Sequence, residues 1–246
     1  MPFTTKAKYY DIKNRIWRET EVSIDKKLNF DYSACTWFSI DGEFTGLYPQ
    51  RDRDVLWTVA SEDGEGNLRV EMIYTFEDDA DLTTLKELLQ SNKEKYLFYG
   101  QLDLAFLYKR TGLVIAQPLF DVKVVSKVVR TYTNDHSVDL MVKSFAGIDE
   151  DIFPKRDMAK SKEFANHPTT WSKELHQYNV NDVVYLKFIA ENLKEMAKRL
   201  NREAVVDAIN LTLPNLGVLS ASGYYRNVFD HMYNDTDMTG AIIPRR

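Results

Sequence analysis

One cysteine stands in a chain of 246 residues. Cys35 alone excludes an intramolecular disulfide and any cysteine-based zinc cluster. Beside the apolar "TWFSI" it reads as a small buried residue rather than a reactive thiol. So few cysteines point to a reducing compartment, and a cytoplasmic location is expected. Long hydrophobic runs are also lacking near the start. "MPFTTKAKYYDIKNRIWRETE" holds no apolar core of the length a signal peptide or membrane span requires. Neither a leader nor a membrane partner is therefore expected. No internal repeat, low-complexity segment or linker rich in proline or serine is present. The charge has no basic excess: 32 Lys and Arg against 37 Asp and Glu leave a net −5. That argues against a protein that coats duplex nucleic acid, which needs a broad basic face. An enzyme that grips only a few nucleotides stays open.

What is present is an ordinary globular composition, 44% hydrophobic and 28% charged. The length supports one large domain, or one domain with an appendage. Residues 1–33 alternate irregularly and read as short strands or hairpins. "CTWFSID", "DVLWTVAS" and "LRVEMIYTF" read as an antiparallel meander, with turn chemistry in "EDGEGN". "DADLTTLKELLQSN" carries a capping acid and leucines at helical spacing. "KYLFYG" is a short strand, and "LDLAFLYKRTG" a helix that stops on Gly112. "LVIAQPLFD" is extended, "VKVVSKVVRTY" and "HSVDLMVKSFAGI" are helical, and a polar stretch leads to one long helical pattern over 171–200. A meander followed by strand–helix alternation makes a mixed α/β sheet flanked by helices.

Three acidic features stand out against this frame. In "FSIDGEF" the strand period of two puts Asp41 and Glu43 on one face. A solvated strand end is the ordinary explanation for a lone pair of this kind. Asp103, in "FYGQLDLAFL", falls in the first turn of a helix, where aspartate is favoured by the dipole and often only caps. In "HQYNVNDVVYL", Tyr178 and Asp182 are four apart and project from one helical face. Core packing is the ordinary role for such a tyrosine. The ordered set is more informative than its members. Four carboxylates brought together by one sheet require divalent cations, and oxygen-only ligands suit magnesium or manganese.

The three motifs in this order resemble the ribonuclease D group of DEDD-type 3′-to-5′ exonucleases, whose fold is the ribonuclease H-like mixed sheet. The chain is most similar to the compact ribonuclease D-like exonucleases of alphaproteobacterial type, which lack C-terminal HRDC domains. "GLYPQRDR", "LDLAFLYKRTGLV", "SKVVRTYTNDHSVDL" and "INLTLPNLGVLSASGYYRNVFDHM" carry the resemblance over about residues 37 to 233. It implies an N-terminal extension over 1–33, an exonuclease domain over 34–200 and a C-terminal helical segment over 201–246 packing on the core. The pattern departs at Gly42, where relatives have threonine, and at Leu102, where phenylalanine is common. "FANHPTTW" replaces the usual Ser-Asp-Trp segment, which implies a rebuilt loop below the site.

The resemblance further implies two divalent cations, Mg2+ or Mn2+, held by Asp41, Glu43, Asp103 and Asp182. Asp41 would bridge both ions, and Tyr178 would orient the attacking water. The tyrosine class of these enzymes places that residue four before the last aspartate, which is Tyr178. The histidine class places it five before, which here is Gln177. His176 is one position too far and points roughly 240° around the helix from Asp182, so it reads as a surface or core-edge residue. Phe44 and Leu47 are candidates for stacking on terminal bases, against simple packing. Lys123, Lys127 and Arg130 share one helix as candidate phosphate contacts, against a solvated face. His136 and Asp121 receive no chemical role. The implied partners are RNA 3′ ends, of transfer RNA precursors or other structured RNA, with single-stranded DNA as the alternative substrate. A relative that binds nucleic acid without cleaving it is the third reading, and monomer and homodimer both stay open.

Overall fold

The computed structural model describes residues 2–149, 153, 163 and 166–222. Seven strands form one sheet: β1 Phe3–Asp11, β2 Ile16–Asp25, β3 Trp37–Phe44, β4 Asp54–Glu62, β5 Leu68–Tyr74, β6 Glu94–Leu97 and β7 Leu119–Asp121. Their spatial order is β1-β2-β5-β4-β3-β6-β7. The meander β3, β4, β5 is antiparallel, as its turn chemistry implies, whereas β6 and β7 add in parallel. This is the ribonuclease H-like mixed sheet. The irregular N-terminus is a long antiparallel hairpin whose second strand joins β5 in parallel, so it extends the sheet.

The central strand β4 is buried along eight of its nine residues, which is why it reads as a near-continuous apolar run. Helices cover both faces: α1 Thr83–Gln90, α2 Gln101–Thr111, α3 Val122–Val129, α4 Val138–Ala146, α5 Lys173–Val184, α6 Leu186–Arg199 and α7 Glu203–Ala221. On one side Phe38, Ile40 and Trp57 meet Leu85 and Leu89 of α1, Leu104 and Phe106 of α2 and Leu213 of α7. On the other, Trp37, Tyr96 and Phe120 meet α3, α4 and α6, while Val55, Leu56 and Ala60 meet Leu175, Val180 and Val183 of α5. Ahead of α1, whose N-cap is Leu82, Asp81 accepts from Thr83 N at 3.0 Å, and α2 stops where Gly112 turns left-handed at φ 71°.

One helix and one residue differ from the sequence pattern. The single helix expected over 171–200 is broken at Tyr185 into α5 and α6. In an unbroken helix the carbonyl of Val183 would accept from Lys187; here it accepts from the Ser39 hydroxyl of β3 at 2.7 Å. His176, expected at the surface or core edge, is buried between Phe3 and Trp171. The helix α7 is long and apolar enough to cross a membrane, yet it lies along α2. A Cβ on its Gly217 would come within 2.5 Å of Leu104 Cβ, and Asn210 Oδ1 accepts from Asp121 N. Most of the polar stretch after Gly147 and the tail "GYYRNVFDHM" lie outside the described residues.

Candidate active site

Asp41 and Glu43 end β3, opposite Thr58 and Leu56 of β4, and the register shifts just after them, between Glu43 and Phe44. Strand alternation turns both carboxylates toward α5. There the Ser39–Val183 hydrogen bond fixes the helix one residue from Asp182. Oxygens of Asp41, Glu43 and Asp182 lie within 4.8 Å of one another, all three half-buried. Unit charges ~4 Å apart repel by about 4 kcal/mol at the effective dielectric near a protein surface. Three such acids on rigid elements favour a cation between them, and their hard oxygens suit Mg2+ or Mn2+. Tyr178, one turn before Asp182, packs its ring partly buried on the cluster of β4 and β5.

Asp103 is outside that trio. It approaches from the opposite side of the strand, on the first turn of α2, and accepts from Gly42 N at 3.0 Å. At 5% exposure its carboxyl is pushed up to about 8 by burial, with the charges of Asp121 and Asp182 adding to the shift and the Gly42 N–H opposing it. Without a cation, burial therefore favours its protonated form.

Asp121 was given no role from sequence, and it builds the turn that delivers Asp103. Buried at the end of β7, it accepts from Tyr99 N at 3.2 Å, Gly100 N at 2.7 Å and Val124 N at 2.9 Å. It thereby caps α3 and fixes Tyr99 at φ 61° immediately before α2. The sequence signal was present: an acid after an apolar strand and before a helix is an N-cap. Burial raises its pKa while these N–H groups lower it.

The remaining candidates separate. Phe44 stacks on Phe106 at 4.0 Å and meets Trp57 edge-on at 5.5 Å, the packing arrangement of the two readings. Leu47 is 58% exposed on the following loop. Lys123 and Lys127 sit over the ring of Tyr99, at 4.6 and 5.5 Å. Arg130 is not on a solvated face. It is 2% exposed, between the rings of Tyr132 and Phe145, and among the described residues its Nη1 has no hydrogen-bond partner. His136 bonds Ser126 at 3.0 Å; burial, then Arg130 and Lys127, lower its pKa. Among the described residues of the altered loop, His167 packs on Tyr74 and Phe76, and Trp171 donates to Asn166 O.

A family model described as 3′-5′ exonuclease matches residues 20–198. Among solved structures, Brucella melitensis NrnC bound to pGG superposes with a TM-score of 0.67 at 27% identity, covering 81% of this chain and 92% of that one. The same Brucella protein with bound Mg2+ gives 0.66 at 27% identity, covering 82% and 93%. Escherichia coli RNase D, an exoribonuclease involved in structured RNA processing, shares the fold at a TM-score of 0.56 and 20% identity, covering 74% and 45%. A search of curated proteins finds no match.

Proposed function

The chain belongs to the 3′-5′ exonuclease family, and from that premise we propose a metal-dependent exoribonuclease that releases nucleoside 5′-monophosphates from RNA 3′ ends. The observation that carries this reading is the convergence of Asp41, Glu43 and Asp182 within 4.8 Å, with a phenol one turn before the last. These three would hold one cation, and Asp41 with Asp103 a second. Bound ions of this kind lower the pKa of water and stabilise a leaving 3′ oxygen. Tyr178 orients the attacking water through its hydroxyl. Water adds to phosphorus, the bond from phosphorus to the 3′ oxygen breaks, and that oxygen takes a proton. Leu47 is the candidate contact to a terminal base, and Lys127 and Arg130 are the candidate contacts to phosphate; Nη1 of Arg130 is a donor without a partner among the described residues.

Two substrate classes are supported by different observations. Trimming of structured RNA such as transfer RNA precursors follows from the family resemblance. A short oligonucleotide is favoured by the neighbour bound to pGG. A 3′-extended transfer RNA, a two-nucleotide RNA and a DNA strand of matched sequence, each 5′-labelled, test them side by side with Mg2+, Mn2+ or chelator. We expect cleavage of RNA that chelator abolishes, and a loss of at least about a hundredfold in Asp41→Asn, equivalent to about 2.7 kcal/mol. Equal or faster cleavage of DNA overturns the RNA assignment, and an active Asp41→Asn overturns the site.

A further inference from the structure

The family match begins at residue 20, so all of β1 and the first residues of β2 fall outside it. β1 is the edge strand of the sheet, and an open edge presents unpaired N–H and C=O groups. Lys8 and Tyr10, two residues apart, offer theirs on the same side, because backbone direction repeats with period two. Both are met by side chains from the segment that carries Tyr178 and Asp182. The Gln177 amide bonds Lys8 twice: Oε1 accepts from Lys8 N at 2.7 Å and Nε2 donates to Lys8 O at 2.6 Å. Tyr10 N donates to the Tyr185 hydroxyl at 2.9 Å. Gln177 Nε2 also donates to Asn181 Oδ1 at 3.0 Å.

These contacts bracket the reacting groups. Gln177 and Asn181 form a pair four residues apart, displaced from Tyr178 and Asp182 by one residue, about 100° around the helix. Tyr185 lies just beyond, at the break that ends α5. A cover for a sheet edge needs no particular helix. Here both covers come from either side of Tyr178 and Asp182, and the helix they hold stops within three residues of Asp182.

We propose that the N-terminal hairpin is a positioning device for α5, and that Gln177 is the positioning residue through which it fixes Tyr178 and Asp182. The proposal rests on the exonuclease reading, which gives those two residues their roles. The test uses the full chain with Gln177→Ala, Tyr185→Phe and the double variant. Turnover of a short RNA gives kcat and KM, and the rise of Tm with added Mg2+ gives a midpoint independent of activity. Partners that orient metal ligands are worth about tenfold to a hundredfold in affinity or activity. We expect Gln177→Ala to lower kcat about tenfold with KM within twofold, and to raise the Mg2+ midpoint by about the same factor. Tyr185→Phe, which loses one hydroxyl and keeps its ring, should move both readouts the same way by about threefold. Lower Tm with kcat and the Mg2+ midpoint both within twofold overturns the proposal, as does a change confined to KM. If Gln177→Ala fails to fold, Tyr185→Phe decides by the same two readouts. A wild-type protein that cleaves neither RNA nor DNA defeats the exonuclease reading, and the Mg2+ midpoints of the variants still judge the positioning.

Discussion

Gly42 lies between two ligand candidates, yet what constrains it is on the other face of the strand. A Cβ there would come within 2.5 Å of the Trp57 ring and 2.6 Å of Phe44. Trp57 is fully buried and its Nε1 donates to Asp54 at 2.9 Å, so the ring cannot retreat. The glycine makes room for an indole, and leaves no space on that side for a nucleotide. Overpacking of a filled core costs about 1–3 kcal/mol, or about 2–4 °C per kcal/mol in a chain of this size. Gly42→Thr should therefore lower Tm by several degrees, and combined with Trp57→Leu should lose less than the sum of the two single losses, as neighbours sharing one space do. Additive losses in thermal melts would refute this. The acids themselves were legible because their geometry is local: period two joins Asp41 to Glu43, and one helical turn joins Tyr178 to Asp182. Gly42 was not legible, because Trp57 is distant in sequence. The burial of Arg130 was hidden for the same reason.

At the scale of elements, the β6–α2 turn and the N-terminus of α3 depend on one carboxylate. Asp121 accepts from three backbone N–H groups, two of them immediately ahead of α2. Asp121→Asn replaces an acceptor oxygen with a donor, facing donors, in a fully buried site. Leaving such groups unpaired costs about 1–3 kcal/mol each. The variant should melt well below wild type and lose kcat, because Asp103 follows the turn. Asp79→Asn is the control: it removes only a surface pair with Lys26, a class worth about 0–1 kcal/mol. Equal melting of the two variants would refute the role of Asp121. The meander and most helices were legible from alternation and caps. The N-terminal hairpin was legible as strands or hairpins, but its place in the sheet was not, since its strands alternate weakly while one edge is covered by side chains of α5 rather than by a strand. The break at Tyr185 was hidden because it depends on Ser39, 146 positions earlier.

For the whole molecule, the buried acids set how stability responds to pH when cations are removed. Asp103 is held at about 8 against 3.8 for a free aspartate, mainly by burial, and burial raises Asp121 too. Through that interval the folded protein keeps protons that the unfolded chain has released, so stability falls as pH rises, by at most about 1.4 kcal/mol per unit and group. Other groups act in other windows. Asp63 and Asp135, held low by hydrogen bonds to backbone N–H groups, lose their contribution only in acid. His136 and His176, lowered by burial, add stability as pH rises toward 6.5 and nothing above it. Lys95, lowered to about 8 by burial, adds stability only at higher pH. The interval from about 6.5 to 8 therefore reports mainly on the acidic centre. In chelator, Tm should fall by several degrees across it; in Mg2+ the fall should vanish, since a cation stabilises the ionised carboxyls. Asp103→Asn should flatten the curve in chelator, with no proton left to lose at that position. Parallel curves with and without Mg2+ would mean that cations do not bind among these carboxylates, and the proposed catalytic role of the centre would fall with them.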